Sequence, residues 1–181
     1  RSQGLDGVIN ENQPINLKWQ LRGIRHNKSI QYENRYTRLT YNHEDGKISK
    51  LSETSDDEDT ELDVKWLSYR QHFFSSILTT NTNFETVDFS SKNLVEEESK
   101  EAKFTKEYTT VAPLQLEAGE LSYAMNWYYG PTDIEVLKEY KELGLAESIP
   151  YGWGIFGFIN KNIFTPFYGF LSSFLPFGIA I

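Results

Sequence analysis

Three histidines are the first side chains to weigh for acid–base or metal chemistry. His26 and His43 fall in polar, turn-like segments and His72 within a strand-like run, and no two are spaced to share a metal ion. His72 reads as a structural residue. The sequence contains no Gly-x-Ser-x-Gly, no His-Glu-x-x-His and no phosphate-cradling Gly-rich loop ahead of a helix. The run Glu53-Thr54-Ser55-Asp56-Asp57-Glu58-Asp59 offers hard oxygen ligands of the kind calcium takes. It lacks the spaced ligands, central Gly and distal Glu of a calcium loop, so it reads as a self-repelling, solvated segment. Glu117, Glu120 and Asp133 flank the last strand and helix and read as surface charges or caps. The absence of cysteine rules out disulfides, thiol catalysis and thiolate metal sites. No catalytic, cofactor or metal site is expected, and the chain is not expected to be an enzyme.

Aromatic side chains are the chemistry that remains. From Ser148 to Ile181 Lys161 is the only charged residue, while Tyr151, Trp153, Phe156, Phe158, Phe164, Phe167, Tyr168, Phe170 and Phe174 are packed in among Gly and Pro. Trp and Tyr favour the headgroup level of a bilayer, where ring and polar atom are each satisfied. Residues 162–181 are uncharged and long enough to span. Pro166, Pro176 and the early aromatic cluster suit an interfacial segment better. Those nine aromatics are therefore the candidate membrane-interface residues, and 148–181 is expected to be an amphipathic segment leading to a transmembrane helix.

The elements upstream must hold that segment. Ile15 to Arg22 alternates apolar and polar residues strictly, as a strand with one wet face does. Residues 23–34 read as a polar connection. Tyr36 to Tyr41 and Lys47 to Leu51 read as strands joined by the turn chemistry of Asp45-Gly46. Val64 to Thr80 reads as one central strand, with Asn81-Thr82-Asn83 as the turn that follows. Phe84 to Val95 and Ala102 to Leu116 read as two β-segments around a second acidic loop, and Leu121 to Tyr129 as another half-buried strand. Thr132-Asp133-Ile134-Glu135 fits a capping box for a helix over 132–143 that Gly144 stops. The alternation places Trp19, Trp66 and Trp127 in the core. A β-sandwich domain over 1–147 and an appendage over 148–181 follow.

Bulk properties agree with that division. A chain of 181 residues builds one ordinary core, and 39% hydrophobic with 24% charged residues is globular composition. A net charge of −8 argues against nucleic-acid binding, which needs clustered Lys and Arg. The sequence opens on Arg1 and closes inside an apolar run, so both ends are expected to be cuts in a longer protein.

Trp66-Leu67-Ser68-Tyr69-Arg70-Gln71-His72-Phe73-Phe74 resembles the Trp-to-Gln/Phe motif in the periplasmic domain of YidC-type membrane protein insertases. Tyr129-Gly130-Pro131 resembles that family's junction between last strand and terminal helix. Ile149-Pro150-Tyr151-Gly152-Trp153-Gly154-Ile155-Phe156 resembles its approach to an interfacial helix. Order and spacing agree from about Trp66 to the end. The resemblance implies an antiparallel β-supersandwich similar to galactose mutarotase, incomplete here and with open edges where further strands would pair. It further implies a place on the periplasmic side of the inner (cytoplasmic) membrane of a Gram-negative bacterium, with no cofactor. The partners it implies are the lipid bilayer surface, Sec translocon components and nascent inner-membrane proteins. Two other readings remain: a carbohydrate-binding or aldose-epimerase-like sandwich, with Trp19, Trp66 and Trp127 as possible platforms, and an envelope assembly chaperone.

Overall fold

In the computed structural model, residues 1–5, 8–9, 15–26, 28–95, 102–117, 119–149 and 160–174 are described. The chain divides into two compact units, Arg1–Ser148 and Ile149–Ile181. The first is mainly antiparallel β-structure, as expected, and ends in a short helix. In order it runs β1 (Ile15–Ile24), α1 (Ile30–Tyr36), β2 (Arg38–His43), β3 (Lys47–Lys50), β4 (Asp57–Arg70), β5 (Phe74–Asn93), β6 (Phe104–Leu114), β7 (Met125–Pro131) and α2 (Ile134–Lys138). The second unit carries a π-helical turn, Asn160–Phe164, continuing into α3 (Thr165–Phe174).

All seven strands belong to one sheet, ordered β1-β6-β5-β4-β2-β3, with β7 also on β5. The long β4–β5 hairpin runs through the whole sheet and bends in the middle. Val64 pairs with Phe84 but Trp66 pairs with Thr79, so Lys65 faces four residues of β5, Thr80 to Asn83. Asp63 takes a left-handed φ of 55° beside this step and accepts a hydrogen bond from the Asn83 amide at 2.8 Å. The turn chemistry of Asn81-Thr82-Asn83 is thus spent on a bulge, and β5 carries on past it.

The bend folds the sheet into two leaves. One contains β1, β6 and the outer halves of β4 and β5, since β6 pairs with β5 over Asp88 to Asn93. The other contains β2, β3, the halves next to the hairpin tip, and β7, which pairs with Phe74 to Thr80. Ring contacts join leaf to leaf: Tyr41 on Phe89 at 4.0 Å, Tyr69 on Tyr108 at 5.5 Å, and Trp19 on Tyr69 at 4.1 Å. The Tyr69 hydroxyl bonds Thr110 Oγ1 and the Trp19 carbonyl. Fully buried Leu39, Leu67, Leu78, Val87 and Phe84 fill the space between.

Outside the second leaf lies a smaller core. Trp66 and Ile77 point away from the leaf interface and are nevertheless buried, as are Leu137 and Leu145 of the following helical stretch. That stretch is shorter than the expected 132–143: α2, then 3-10 turns at Lys141–Leu143 and Leu145–Ser148, broken by Gly144 at φ 67°. Its cap also differs. Asp133 accepts the Glu135 N–H, while the Thr132 hydroxyl turns back to Ser75 at 2.8 Å.

Three other expectations change. Val64 to Thr80 is two strands, reversing at Gln71–Phe74, where the Gln71 N–H bonds the Phe74 carbonyl at 2.8 Å. Asp57 to Asp63 lies in β4, not in a loop, because Asp59 and Glu61 reach across to Tyr41 and His43 of β2. The polar connection 23–34 contains the start of α1, whose Ser29 side chain caps the Tyr32 N–H. Asp45-Gly46 turns as read, with φ 58° and 73°.

Candidate interaction surfaces

Two of the three histidines have ring partners. His43 is buried at the end of β2, with Nε2 2.9 Å from Ser49 Oγ and Nδ1 2.9 Å from Glu61 Oε2. This brings together the residue types of a Ser–His–carboxylate relay. The Nδ1 contact has ion-pair distance without hydrogen-bond geometry, so nothing fixes the ring as a base. Burial raises the Glu61 carboxyl; His43 pulls it down, Asp59 pushes it up, and it settles above its ordinary value. The cluster ties β2 and β3 to the opposite leaf. His72 sits at the hairpin tip rather than inside a strand, stacked between Tyr36 at 4.6 Å and Phe73 at 4.1 Å. Among the described residues no group of three His, Asp or Glu could hold a metal ion.

A buried cation that sequence reasoning did not single out organises one end of the sandwich. Lys106 of β6 is fully buried, and its ammonium donates to the carbonyls of Asn34 (3.2 Å), Thr37 (3.0 Å) and Glu53 (2.7 Å). Two of these are at the C-terminus of α1, where positive charge is favoured. Burial nonetheless pushes the Lys106 pKa down to about 8, with Glu53 pulling it back up. Burial alone would raise the Glu53 carboxyl, but Lys50, Arg38 and Lys106 hold it below its ordinary value. A lysine in a polar alternating strand gives no signal of this, because all three acceptors are backbone groups from distant segments.

Two exposed aromatic surfaces remain. In the second unit, Ile163, Phe167, Phe170 and Phe174 recur at helical spacing and are each more than half exposed, with Phe164 and Tyr168 beside them. Phe170 and Phe174 contact at 5.1 Å. Pro166, which has no N–H to donate, falls where the π-helical turn passes into α3. Tyr151, Trp153, Phe156 and Phe158 lie outside the described residues. Among the described residues no helix is long and apolar enough to cross a membrane.

The other surface is the hairpin tip of the first unit. Phe73 and Phe74 are 57% and 59% exposed, and the rings of Tyr32, Tyr36 and His72 back them. Nearby on β7, Trp127 is 42% exposed rather than core, edge-on to Trp19 at 4.8 Å and parallel to Tyr129. Trp66 is buried as expected and cannot serve as a platform. Excess length was the available signal for the tip: seventeen residues from Val64 to Thr80 exceed an ordinary strand, and Arg70-Gln71-His72 interrupts them.

Comparison with known proteins follows the same lines. The family model described as the YidC periplasmic domain matches residues 7–166. The chain is 31% identical, over 88% of its length, to a membrane protein insertase YidC of Azobacteroides pseudotrichonymphae genomovar. CFP2, of which it covers 27%. It is 30% identical over 98% of its length to one from Parabacteroides distasonis, covering 29% of it. One from Bacteroides fragilis is 26% identical over the whole chain, which covers 30% of it. The chain therefore spans less than a third of the length of these relatives. No solved structure matches.

Proposed function

Because this chain belongs to the YidC periplasmic domain family, we propose that it is the periplasmic scaffold of a membrane protein insertase, which helps to insert and fold inner-membrane proteins. On this reading the first unit is a rigid, non-catalytic platform on the periplasmic side of the inner membrane of a Gram-negative bacterium. It positions the membrane-embedded part of the protein, contacts Sec translocon components and meets nascent inner-membrane proteins as they emerge. Residues 148–181 lie along the outer surface of the bilayer and lead to a transmembrane helix. The contacts with lipid come from Tyr151, Trp153, Phe156, Phe158, Phe164, Phe167, Tyr168, Phe170 and Phe174.

The observation that carries this reading is the aromatic stripe of α3. It runs along one face of the described residues 160–174, the pattern of a helix that lies in the interface. Phe167, Phe170 and Phe174 stand out from it in water, where exposed aromatic surface has no compensation. Deleting residues 150–181 should abolish co-sedimentation with liposomes and leave the sandwich folded. Unchanged co-sedimentation of the truncated protein refutes the interfacial role.

A further inference from the structure

We propose that the β4–β5 hairpin tip is a second lipid-contacting point, on the first unit, which inserts Phe73 and Phe74 into the headgroup zone of a bilayer. The inference rests on the membrane-surface reading above but uses none of the residues that carry it.

Tight hairpin turns are ordinarily built from Gly, Asn and Asp, which tolerate the backbone and face water. Here the turn is Gln71-His72-Phe73-Phe74, and both phenylalanines are more than half exposed. His72 stacks on Phe73 and on Tyr36, and Tyr32 packs tilted or edge-on against Tyr36 and His72, with ring centroids 4.1 to 5.2 Å apart. An apolar point with hydroxyls and an imidazole behind it has the layered polarity of the membrane–water interface.

The backbone of the tip is anchored to its neighbours. The Phe74 carbonyl accepts the Gln71 N–H at 2.8 Å, and the Phe73 carbonyl accepts the Thr132 N–H at 2.7 Å. The Gln71 side chain in turn caps the Ile24 N–H at 3.0 Å. Held by these bonds, the tip presents Phe73 and Phe74 from a fixed backbone. The Thr132 bond also fixes the tip to the end of β7, the strand after which the chain leads on to the aromatic segment.

Charge favours the same occupant. Exposed Lys28 and Arg35 flank the α1 rings that pack on His72, and the carbonyl of exposed Lys103 accepts the N–H of Arg25, next to the Ile24 that Gln71 holds; buried Glu33 and exposed Asp133, beside Thr132, are the nearby acids. These cations suit anionic phospholipid headgroups within a Debye length. In a chain of net charge −8 that attraction is local, and burial of the two rings is the larger contribution. Covering two half-exposed phenylalanines corresponds to roughly 30-fold in partitioning.

The cysteine-free sequence permits single spin labels in the full chain. Labels are placed at Phe73→Cys, at Phe167→Cys in α3, and at Asp45→Cys at the far end of β2. Vesicles of phosphatidylethanolamine and phosphatidylglycerol are added, and accessibility to oxygen and to an aqueous nickel complex is read by paramagnetic resonance. The label at 73 should gain oxygen access and lose nickel access, while the label at 45 stays aqueous. A label at 73 that stays aqueous while that at 167 enters lipid overturns this inference and spares the proposed function; if both stay aqueous, both fail. Immobilisation of the label at 73 by an extended apolar peptide but not by vesicles would assign the tip to polypeptide, and so overturn it. The pair Phe73→Ser and Phe74→Ser should weaken vesicle binding at least tenfold with an unchanged melting profile. Unchanged affinity in that variant also overturns the inference.

Discussion

Titration through the alkaline range should expose Lys106. Its ammonium is fully enclosed with a pKa of about 8, against about 10.4 for an unfolded lysine. At pH 7 both states are protonated, and the folded state carries the whole cost of enclosing the charge, about 3 kcal/mol. By pH 9.5 the folded lysine has released its proton and the unfolded one has not, so the cost falls to about 1 kcal/mol. The unfolded state binds more protons across this window, so stability rises with pH by about 2 kcal/mol. Above about pH 10 the sign reverses. Tyr41, Tyr69 and Tyr108 are held protonated, chiefly by burial, after the unfolded tyrosines have ionised, and stability is lost. Thermal unfolding should therefore show a maximum between pH 9 and 10, some 4–8 °C above its value at pH 7, by the usual conversion of about 2–4 °C per kcal/mol. Lys106→Met removes the titrating group and should flatten the profile between pH 7 and 9.5, while the decline above pH 10 persists. A native protein with a flat profile, or a Lys106→Met protein that keeps the rise, refutes the reasoning.

Two glycines and one cap provide further tests by urea unfolding. Gly46→Ala meets no atom within 4 Å but must hold φ at 73°, so it should cost about 1 kcal/mol. Gly23→Ala should cost more than Gly46→Ala, because its Cβ would stand 2.8 Å from both Thr105 Oγ1 and Thr37 Cγ2 in the packed end of the sandwich; equal costs would show that this end yields easily. Asp133→Ala should destabilise by about 1 kcal/mol through loss of the α2 cap. A larger cost for Thr132→Ala than for Asp133→Ala would restore Thr132 as the capping residue.

Local chemistry was legible where one residue type carries it. Asp45-Gly46 and Gly144 take the left-handed backbone they were read for, and Leu17, Trp19 and Leu21 form the inner face of β1. Asp57 to Glu61 was not legible as strand, because an all-polar run gives period-two alternation no amplitude. α1 was equally hidden: Ile30 is its only buried apolar residue, and buried Glu33 faces inward to take the His26 N–H. The bend in the β4–β5 hairpin comes from a mismatch of register between two strands, which neither strand encodes alone. For the candidate site, composition drew attention to the segment that contains α3, while the stripe itself is set by its helical spacing. The hairpin tip was concealed by its own hydrophobicity, since Phe73 and Phe74 look like strand interior until the reversal at Gln71 is known.

The pairing of β1 with β6 sets an order of birth. Ile24 meets Phe104 and Ile15 meets Leu114, 80 and 99 residues later in the chain. At about 5–20 residues per second, β1 waits roughly 4–20 s for β6. β4 and β5 are joined by a short loop and pay little closure entropy, so they zip early and form the spine on which both leaves are laid. Throughout that interval Leu17, Trp19 and Leu21 lack the neighbour that half-buries them in the finished sheet. The sheet therefore grows outwards from the β4–β5 spine, and β1 joins it only once β6 has been made.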